Sequence, residues 1–333
     1  MNAVRKKEQN DYFCERNYPN PENMKKWILK AIVQRTIAYL PYATNINFLF
    51  QKYVTKGVFL SNEYFYDRLS HASDHLNAYQ KWTGKAFPKT SLEIGTGWYP
   101  VVPVSFFLAG TEKIYSVDIS FLTSKERVKI TQDKFVECFE TNRLVDFVSF
   151  KAERLQVVKE ILLHFDAFSL QEILQQLNIT YLVEDARKLS LPNDLVDLVN
   201  SNNTFEHIYP EILIPILEEF KRVVKKQQGV MSHAIDMSDH FAHFDKTISI
   251  YNFLRFTEKQ WRWIDNSIQP QNRLRFSSYQ KIFSDLKIPI SAQTFRPGNI
   301  AEVAQTPMAK PFSDMRVEDV AISHCSFVTV LND

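Results

Sequence analysis

A carboxylate and two closely spaced glycines form the first group of residues whose types and spacing indicate chemistry. Glu93, Gly95 and Gly97 lie in SLEIGTGWYP, at the carboxyl end of an apolar run. Glycine has no Cβ, so a backbone that turns sharply here can approach a ligand closely. Pro100 suits the first turn of a following helix, whose free N–H groups would face the same ligand. The alternative is an ordinary tight turn between a strand and a helix.

Polar residues also follow the next three apolar runs, where an open α/β sheet collects its ligands. Asp118 ends KIYSVDIS and is suited to accept hydrogen bonds from a ribose diol, although it could instead cap a helix. Asp185 and Ala186 end ITYLVEDA, where the acid could accept from an adenine amino group or lie in a solvated turn. Asn202 and Asn203 follow the fourth run. If a sheet forms, these residues would face one nucleotide-like ligand.

Histidines and aspartates near the same edge are candidates for a general base. His207 follows the fourth apolar run in NNTFEHI, where a structural hydrogen bond at the start of a helix is the alternative. The stretch SHAIDMSDHFAHFD places His233, Asp236 and His240 after a fifth run, where a polar loop is the alternative. The spacing within this stretch matches no specific metal-binding pattern, so we predict no metal site, with metal binding by the stretch as the lesser alternative.

A similar group, His71, Asp74 and His75, has the i, i+3 and i+4 spacing of one helical face. A solvated helix face is the simpler interpretation. The alternative is that this helix covers the carboxyl edge of the sheet and that the face meets the stretch 233–245.

The elements that must position these residues follow from a change of periodicity near residue 90. Residues 1–88 have apolar positions at helical spacing and predict a helical N-terminal cap. In residues 89–333, short β-branched runs alternate with amphipathic ones, which predicts an α/β fold: a Rossmann-like, seven-stranded, mostly parallel sheet with helices on both faces. Helical insertions are predicted at about 121–178 and 237–277. The seven strands are predicted at 90–95, 113–120, 179–186, 194–202, 229–236, 291–297 and 326–332.

Over about residues 88–236 these motifs resemble the class I, Rossmann-like methyltransferases that depend on S-adenosylmethionine (SAM). LEIGTG is similar to the family's first motif, SVDIS to its ribose-binding segment, and VEDARKLSLPNDLVDLV to its adenine-side acid and next strand. SNNTFEHI and EEFKRVVKKQQG are similar to the stretch that leads into the fifth strand. The resemblance implies SAM as the cofactor. It implies as cofactor-binding residues Glu93, Gly95, Thr96, Gly97, Asp118, Ile119, Asp185, Ala186, Asn202 and Asn203.

The first motif also separates two classes of nucleotide-using enzyme. Tyr99 stands where this family often has a third glycine, and Pro100 stands where a dinucleotide-binding loop would have one. A carboxylate at Glu93 would attract the amine of SAM and would repel a pyrophosphate. We therefore favour a methyltransferase over a nucleotide-dependent oxidoreductase, and a non-catalytic SAM-binding protein is a further alternative.

The composition of the chain and the residues after the fourth strand limit the chemical class of the acceptor. Among 333 residues, 40 Lys+Arg against 38 Asp+Glu give a net charge of +2, too little for a broad field that attracts nucleic acid. The chain also reads NSNN where enzymes that methylate base amines have an Asn/Asp-Pro-Pro-aromatic element. With 26 Phe, an apolar pocket for a small molecule is expected. We predict O-methylation of a sugar, lipid or secondary metabolite, with N-methylation as the alternative.

Targeting signals and cysteines bear on location. The N-terminal residues MNAVRKKEQNDYF lack the apolar run of a secretory signal, and no apolar run is long enough to span a membrane. The three cysteines are scattered and have no CxxC spacing, which favours a reducing compartment. We expect a cytoplasmic enzyme, and its oligomeric state is not predicted.

Overall fold

The computed structural model describes residues 26–43, 46, 48, 59–144 and 150–331. Two helices precede the sheet, α1 (Lys26–Ala38) and α2 (Asn62–Thr83). Ser61 caps α2 by accepting a hydrogen bond from the backbone N–H of Tyr64, and Gly84 ends the helix in the left-handed conformation. The predicted cap residues 1–25 lie outside the described part of the chain.

All seven predicted strands are present, and they form one sheet. Their bounds are β1 (Thr90–Ile94), β2 (Lys113–Asp118), β3 (Ile179–Val183), β4 (Leu198–Asn202), β5 (Gly229–Asp236), β6 (Ala292–Arg296) and β7 (His324–Leu331). The order is β3-β2-β1-β4-β5-β7-β6, and only the pairings of β7 are antiparallel. The prediction of a mostly parallel, Rossmann-like sheet is confirmed. Because the strand order reverses at β1, a crevice for a ligand forms at its carboxyl end.

Helices cover both faces of this sheet. The bounds of the longer ones are α3 (Val101–Ala109), α4 (Lys125–Glu140), α5 (Ala152–Leu163), α6 (Leu170–Gln176), α7 (Pro210–Val223), α8 (His240–Phe244), α9 (Glu258–Ile264), α10 (Phe276–Asp285), α11 (Ile300–Gln305) and α12 (Val317–Ala321). Short 3-10 helices lie at Phe165–Ala167, Phe205–His207, Asn252–Arg255 and Phe312–Asp314. Helices α4 to α6 lie between β2 and β3, and α8 and α9 follow β5. Every helix in the described ranges is too short or too polar to cross a membrane.

Three clusters of buried apolar residues hold these layers together. Helices α2 to α6 share the first cluster, which includes Phe65 and Phe107. Helices α7 and α10 contribute Phe220 and Phe283 to the second. Trp27 of α1 lies in the third, against the segment that follows β5, and its backbone N–H donates to Asp245 over 3.1 Å. Helix α1 therefore packs on the insertion after β5, whereas α2 packs on the helices and strands of the core.

Candidate active site

A cavity of about 860 Å³ opens at the carboxyl ends of the central strands. This volume lies in the upper part of the range for ligand pockets, about 300–1,000 Å³. The residues that the resemblance implied for cofactor binding all line it, namely Glu93, Gly95, Thr96, Gly97, Asp118, Ile119, Asp185, Ala186, Asn202 and Asn203. The fold thus brings together four separate segments of sequence at one crevice.

The two glycines after β1 are required for different reasons. Both are in the left-handed region, with φ of +75° at Gly95 and +70° at Gly97. A Cβ on Gly95 would come within 2.5 Å of the side chain of Thr204, so any larger residue would have to displace Thr204. A Cβ on Gly97 would meet nothing nearer than the carbonyl oxygen of Gly95 at 4.0 Å. Gly97 therefore presents open backbone to the cavity, as a ligand cradle requires.

Glu93 is buried at the floor of the cavity and organises the loop around it. Its Oε2 accepts a hydrogen bond from the hydroxyl of Thr96 over 2.8 Å, and its Oε1 accepts from Nδ2 of Asn202 over 2.9 Å. Burial raises the pKa of Glu93 to about 7, and these two hydrogen bonds partly oppose that shift. Each carboxylate oxygen keeps a further lone pair, so the group can still accept from a ligand.

His75 of α2 extends this network from the opposite side. Its Nε2 lies 2.8 Å from Oδ1 of Asn202, and its Nδ1 lies 2.7 Å from the hydroxyl of Ser232. Because the amide nitrogen of Asn202 donates to Glu93, its oxygen accepts, and His75 donates through Nε2. Burial lowers the pKa of His75 to about 3, so the ring is neutral. The interpretation of this residue as part of a solvated face is wrong.

The acids after β2 and β3 differ in surroundings. Asp118 accepts hydrogen bonds from the backbone N–H groups of Gly97, over 3.3 Å, and Ile119, over 2.9 Å, and burial raises its pKa. Asp185 is exposed and forms an ion pair of 2.5 Å with Arg187, whose hydrogen bond lowers the pKa of the acid. Asp118 thus lies inside the cavity, and Asp185 lies at its rim next to the buried Ala186.

Of the four residues that we predicted to be catalytic, His207 alone lines the cavity. Its Nδ1 donates to the carbonyl oxygen of Pro270 over 2.6 Å. Burial, with the charge of His240 as the second cause, lowers the pKa of His207 to about 4. The ring is therefore neutral near pH 7, with Nε2 left as the acceptor nitrogen.

His240 and Asp236 lie next to His207 but outside the cavity wall. The ring centres of His207 and His240 are 4.8 Å apart. Nε2 of His240 lies 3.6 Å from Oδ2 of Asp236. The structure therefore brings three of the predicted catalytic residues into one cluster, in which His207 lines the cavity.

Sequence comparison identifies part of the chain that forms this cavity. A family model described as "Methyltransferase domain" matches residues 166–231, from the helix before β3 into β5. The matched segment contains β3, β4 and the start of β5, with Asp185 after β3 and Asn202 and Asn203 at the end of β4. Residues 166–231 therefore belong to a methyltransferase domain, whose sheet is the one described above. The open backbone at Gly97 and the acid at Asp118 fit SAM, the cofactor that the sequence motifs imply. No curated protein sequence matches the chain significantly.

Solved structures similar to the methyltransferase domain are distant in sequence. The methyltransferase in a complex with the Haloferax volcanii Trm112 activator has 16% identity and a TM-score of 0.44, covering 85% of this chain and 96% of that chain. A Pyrococcus horikoshii protein has 14% identity and a TM-score of 0.45, covering 85% and 98%. The Burkholderia thailandensis 1,6-didemethyltoxoflavin-N1-methyltransferase, bound to 1,6-didemethyltoxoflavin and S-adenosylhomocysteine, has 10% identity and a TM-score of 0.44, covering 95% and 94%. Similarities this distant carry no argument about function.

The fourth predicted catalytic residue, His233, lies in the core of the methyltransferase domain. It is fully buried on β5, its ring packs against Phe205 and Phe220, and its Nδ1 is hydrogen-bonded to Ser201 over 2.9 Å. Burial lowers its pKa to about 3. The structure does not bring His233 to the cavity, because alternate residues of a strand point to opposite faces.

Several residues that line the cavity of the methyltransferase domain were missed by the sequence analysis. Tyr64 and Arg68 reach it from α2, and Gln269 and Pro270 reach it from the insertion after β5. A signal for α2 was present, since Tyr64, Arg68, His71 and His75 follow one another at helical spacing as a polar stripe. No comparable signal marks Gln269 or Pro270.

Proposed function

We propose that the methyltransferase domain methylates an oxygen atom of a small-molecule acceptor, of sugar, lipid or secondary-metabolite type. The observation that carries the proposal is the shape of the cavity, which continues from the cofactor residues to His207, Tyr64 and Arg68. One continuous space thus joins the cofactor side to a neutral imidazole. A second small molecule can lie there, next to the cofactor and out of bulk water.

The residues of the chain supply binding and alignment. Bound SAM supplies a methyl group on a sulfonium: the bond from carbon to the acceptor oxygen forms as the carbon–sulfur bond breaks, and its electron pair stays on sulfur. We propose that Gly97 and Asp118 hold the cofactor, with Glu93 and Asn202 at the end that carries the amine. Rigid placement matters, because the reacting atoms must approach to about 3–3.5 Å.

An acceptor hydroxyl must also lose its proton, and this requirement supports a role for His207. Its Nδ1–H is held by the carbonyl oxygen of Pro270, which fixes the ring and leaves Nε2 free to accept. The low pKa of His207 keeps the ring neutral before reaction. A fixed, neutral imidazole on the acceptor side favours a nucleophile that carries a proton.

Arg68 supports an acceptor with a polar or anionic group. Its side chain lines the cavity, its Nε lies 3.9 Å from Oδ2 of Asp67, and its Nε and Nη1 are buried without a hydrogen-bond partner. A guanidinium group with unpaired donors readily binds a hydroxyl, carboxylate or phosphate. We propose that Arg68 orients the acceptor, and that α2, which lies within the predicted cap 1–88, covers the site through Tyr64 and Arg68.

Two measurements test this function. Thermal unfolding with SAM, S-adenosylhomocysteine and NAD should show stabilisation by the first two, since ligand at about 100 times its Kd adds about 2.7 kcal/mol. Protein incubated with methyl-labelled SAM and pooled sugars, polyols, lipids or phenols should then label a hydroxyl compound. A larger shift with NAD would contradict the assignment of the cofactor. Label found only in amines or in nucleic acid would contradict O-methylation of a small molecule.

A further inference from the structure

We propose that Glu206, His207 and His240 form a binding site for a divalent transition-metal ion beside the cavity. One carboxylate oxygen of Glu206 and one ring nitrogen from each histidine all lie within 4.8 Å of one another. Two imidazoles and one carboxylate are a common ligand set for first-row divalent metals. The two histidines come from different segments, the 3-10 helix after β4 and the start of α8, and the fold brings them together.

Glu206 is the residue that most needs a partner. Its side chain is buried, with 2% exposure, and neither carboxylate oxygen makes a hydrogen bond. A buried carboxyl group without partners is costly, and native proteins rarely leave one so. Its backbone is fixed, because its carbonyl oxygen accepts from the N–H of Asn272 over 2.9 Å. A cation in front of the carboxylate would supply the missing partner.

The two histidines are held as metal ligands usually are. His207 donates from Nδ1 to the carbonyl oxygen of Pro270, which directs the lone pair of Nε2 away from that contact. Nε2 of His240 has no hydrogen bond and lies 3.6 Å from Oδ2 of Asp236. Asp236 is therefore placed to orient His240 from behind, as carboxylates do for metal-bound imidazoles.

The charges around the three ligands also favour a cation. Two carboxyl groups, those of Glu206 and Asp236, lie close together, and burial, followed by the negative charge of Asp236, raises the pKa of Glu206. Arg68 supplies one positive charge on the cavity side. When both carboxyl groups are ionised, one guanidinium leaves a net negative charge on the cluster. A divalent ion would more than neutralise that charge. Imidazole ligands favour the divalent metals of the first transition row, from Mn²⁺ through to Zn²⁺. They disfavour Mg²⁺ and Ca²⁺, which prefer oxygen ligands.

Three protein ligands leave coordination positions open, as in catalytic rather than structural metal sites. His207 lines the cavity, so those positions face the acceptor side. Bound to the metal, the hydroxyl of the acceptor would have a lowered pKa, and its proton would pass to solvent water. Its oxygen would then bond to the methyl carbon as the carbon–sulfur bond of SAM breaks. In this state His207 is a ligand and not a base. This catalytic use rests on the proposed function, whereas metal binding itself does not. The proposed metal site differs from the sequence analysis, which predicted no metal and considered only the spacing within 232–245.

The test is a titration of metal-free protein, prepared with a chelator and desalted, with Co²⁺ followed by visible absorption and calorimetry. We expect one Co²⁺ per chain. The variants E206Q, H207A and H240A should each weaken binding by more than the roughly 10–100-fold that loss of an outer-shell partner costs, and D236N by about that amount. His164, an exposed residue at the end of α5, gives the control H164A, which should bind as the unaltered chain does.

Two further measurements make the result decisive. Stabilisation by S-adenosylhomocysteine shows whether each variant is folded, and it separates failure of the metal site from failure of the SAM assignment. Oxidation of the unaltered chain by Fe²⁺ and ascorbate, mapped by peptide mass spectrometry, should modify His207 and His240 and should be suppressed by Zn²⁺. Absence of Co²⁺ binding, equal binding by the three variants, or oxidation confined to other residues would overturn the proposal.

Discussion

Nε2 of His75 donates a hydrogen bond to Oδ1 of Asn202 across 2.8 Å, and this contact joins α2 to the cofactor loop. The amide nitrogen of Asn202 in turn donates to Glu93, whose other oxygen accepts from Thr96. On its far side His75 accepts from Ser232 of β5. One buried histidine thus fixes the amide orientation of a residue that lines the cofactor cavity, because every polar atom in this series has a partner.

Replacing His75 by alanine should therefore loosen both the fold and the cofactor site. The change leaves Asn202 and Ser232 with buried polar atoms that have lost their partners, so we expect the free energy of unfolding to fall by roughly 2–4 kcal/mol. Affinity for S-adenosylhomocysteine should also fall, since the amide of Asn202 loses its orientation. Urea unfolding and calorimetry at one pH measure the two effects.

The matched control lies one helical turn away on the same helix. Nδ1 of His71 is buried without a hydrogen-bond partner, so H71A breaks no hydrogen bond at that atom. Its cost should not exceed about 1 kcal/mol. Equal losses of stability and affinity in H71A and H75A would show that the network through Asn202 has no special part in the site.

Three glycines with nearly the same backbone conformation separate strain, packing and ligand binding. Gly84, Gly95 and Gly97 have φ of +72°, +75° and +70°, so alanine at any of them should cost about 1–2 kcal/mol of backbone strain. At Gly95 the added Cβ also meets Thr204 at 2.5 Å, which should cost roughly 1–3 kcal/mol more. At Gly84 the Cβ would meet nothing within 4 Å.

The affinity for the cofactor should separate G97A from G84A, although their stabilities should be similar. G97A should unfold like G84A yet bind S-adenosylhomocysteine much more weakly, because its Cβ enters the cavity where we place the ligand. G84A should bind as the unaltered chain does. Unchanged affinity in G97A would mean that the cofactor does not approach this loop.

The sheet could be predicted from the sequence because each of its strands is a short β-branched run followed by a turn signal. The residues at its carboxyl edge could be predicted for the same reason, as Asp118 and Gly97 directly follow strands. Contacts between distant segments could not. The bond from His207 to Pro270 depends on where the insertion after β5 folds back, and the burial of His75 depends on which face α2 presents to the sheet.

The candidates for the acceptor side can be separated by turnover with the acceptor that the labelling experiment identifies. H207A should lose on the order of 100-fold or more in kcat, since His207 lines the cavity. His233→Leu should retain kcat, because His233 lies among phenylalanines in the core; the change removes only its hydrogen bond to Ser201, which should lower stability rather than turnover. A large loss of kcat in His233→Leu, with unfolding unchanged, would contradict this assignment.

The ionisation of Glu93 should make the free energy of unfolding depend on pH, with a definite sign. Burial raises the pKa of this carboxyl group from 4.5 in the unfolded chain to about 7 in the folded one. The folded state therefore binds more protons between these values, and its stability falls as pH rises from about 4.5 to 7. At about 1.4 kcal/mol for each pKa unit, the Glu93 contribution is a loss of roughly 3 kcal/mol, complete above about pH 7.

The isosteric variant E93Q isolates this contribution, because every other titrating group stays the same. Glutamine can accept from Asn202 through its oxygen and donate to the hydroxyl of Thr96, so the loop keeps its hydrogen bonds. Urea unfolding of both proteins across this pH range should show E93Q gaining stability relative to the unaltered chain as pH rises. A constant difference between the two would mean that Glu93 ionises at its ordinary pKa, and that the loop after β1 is open to water.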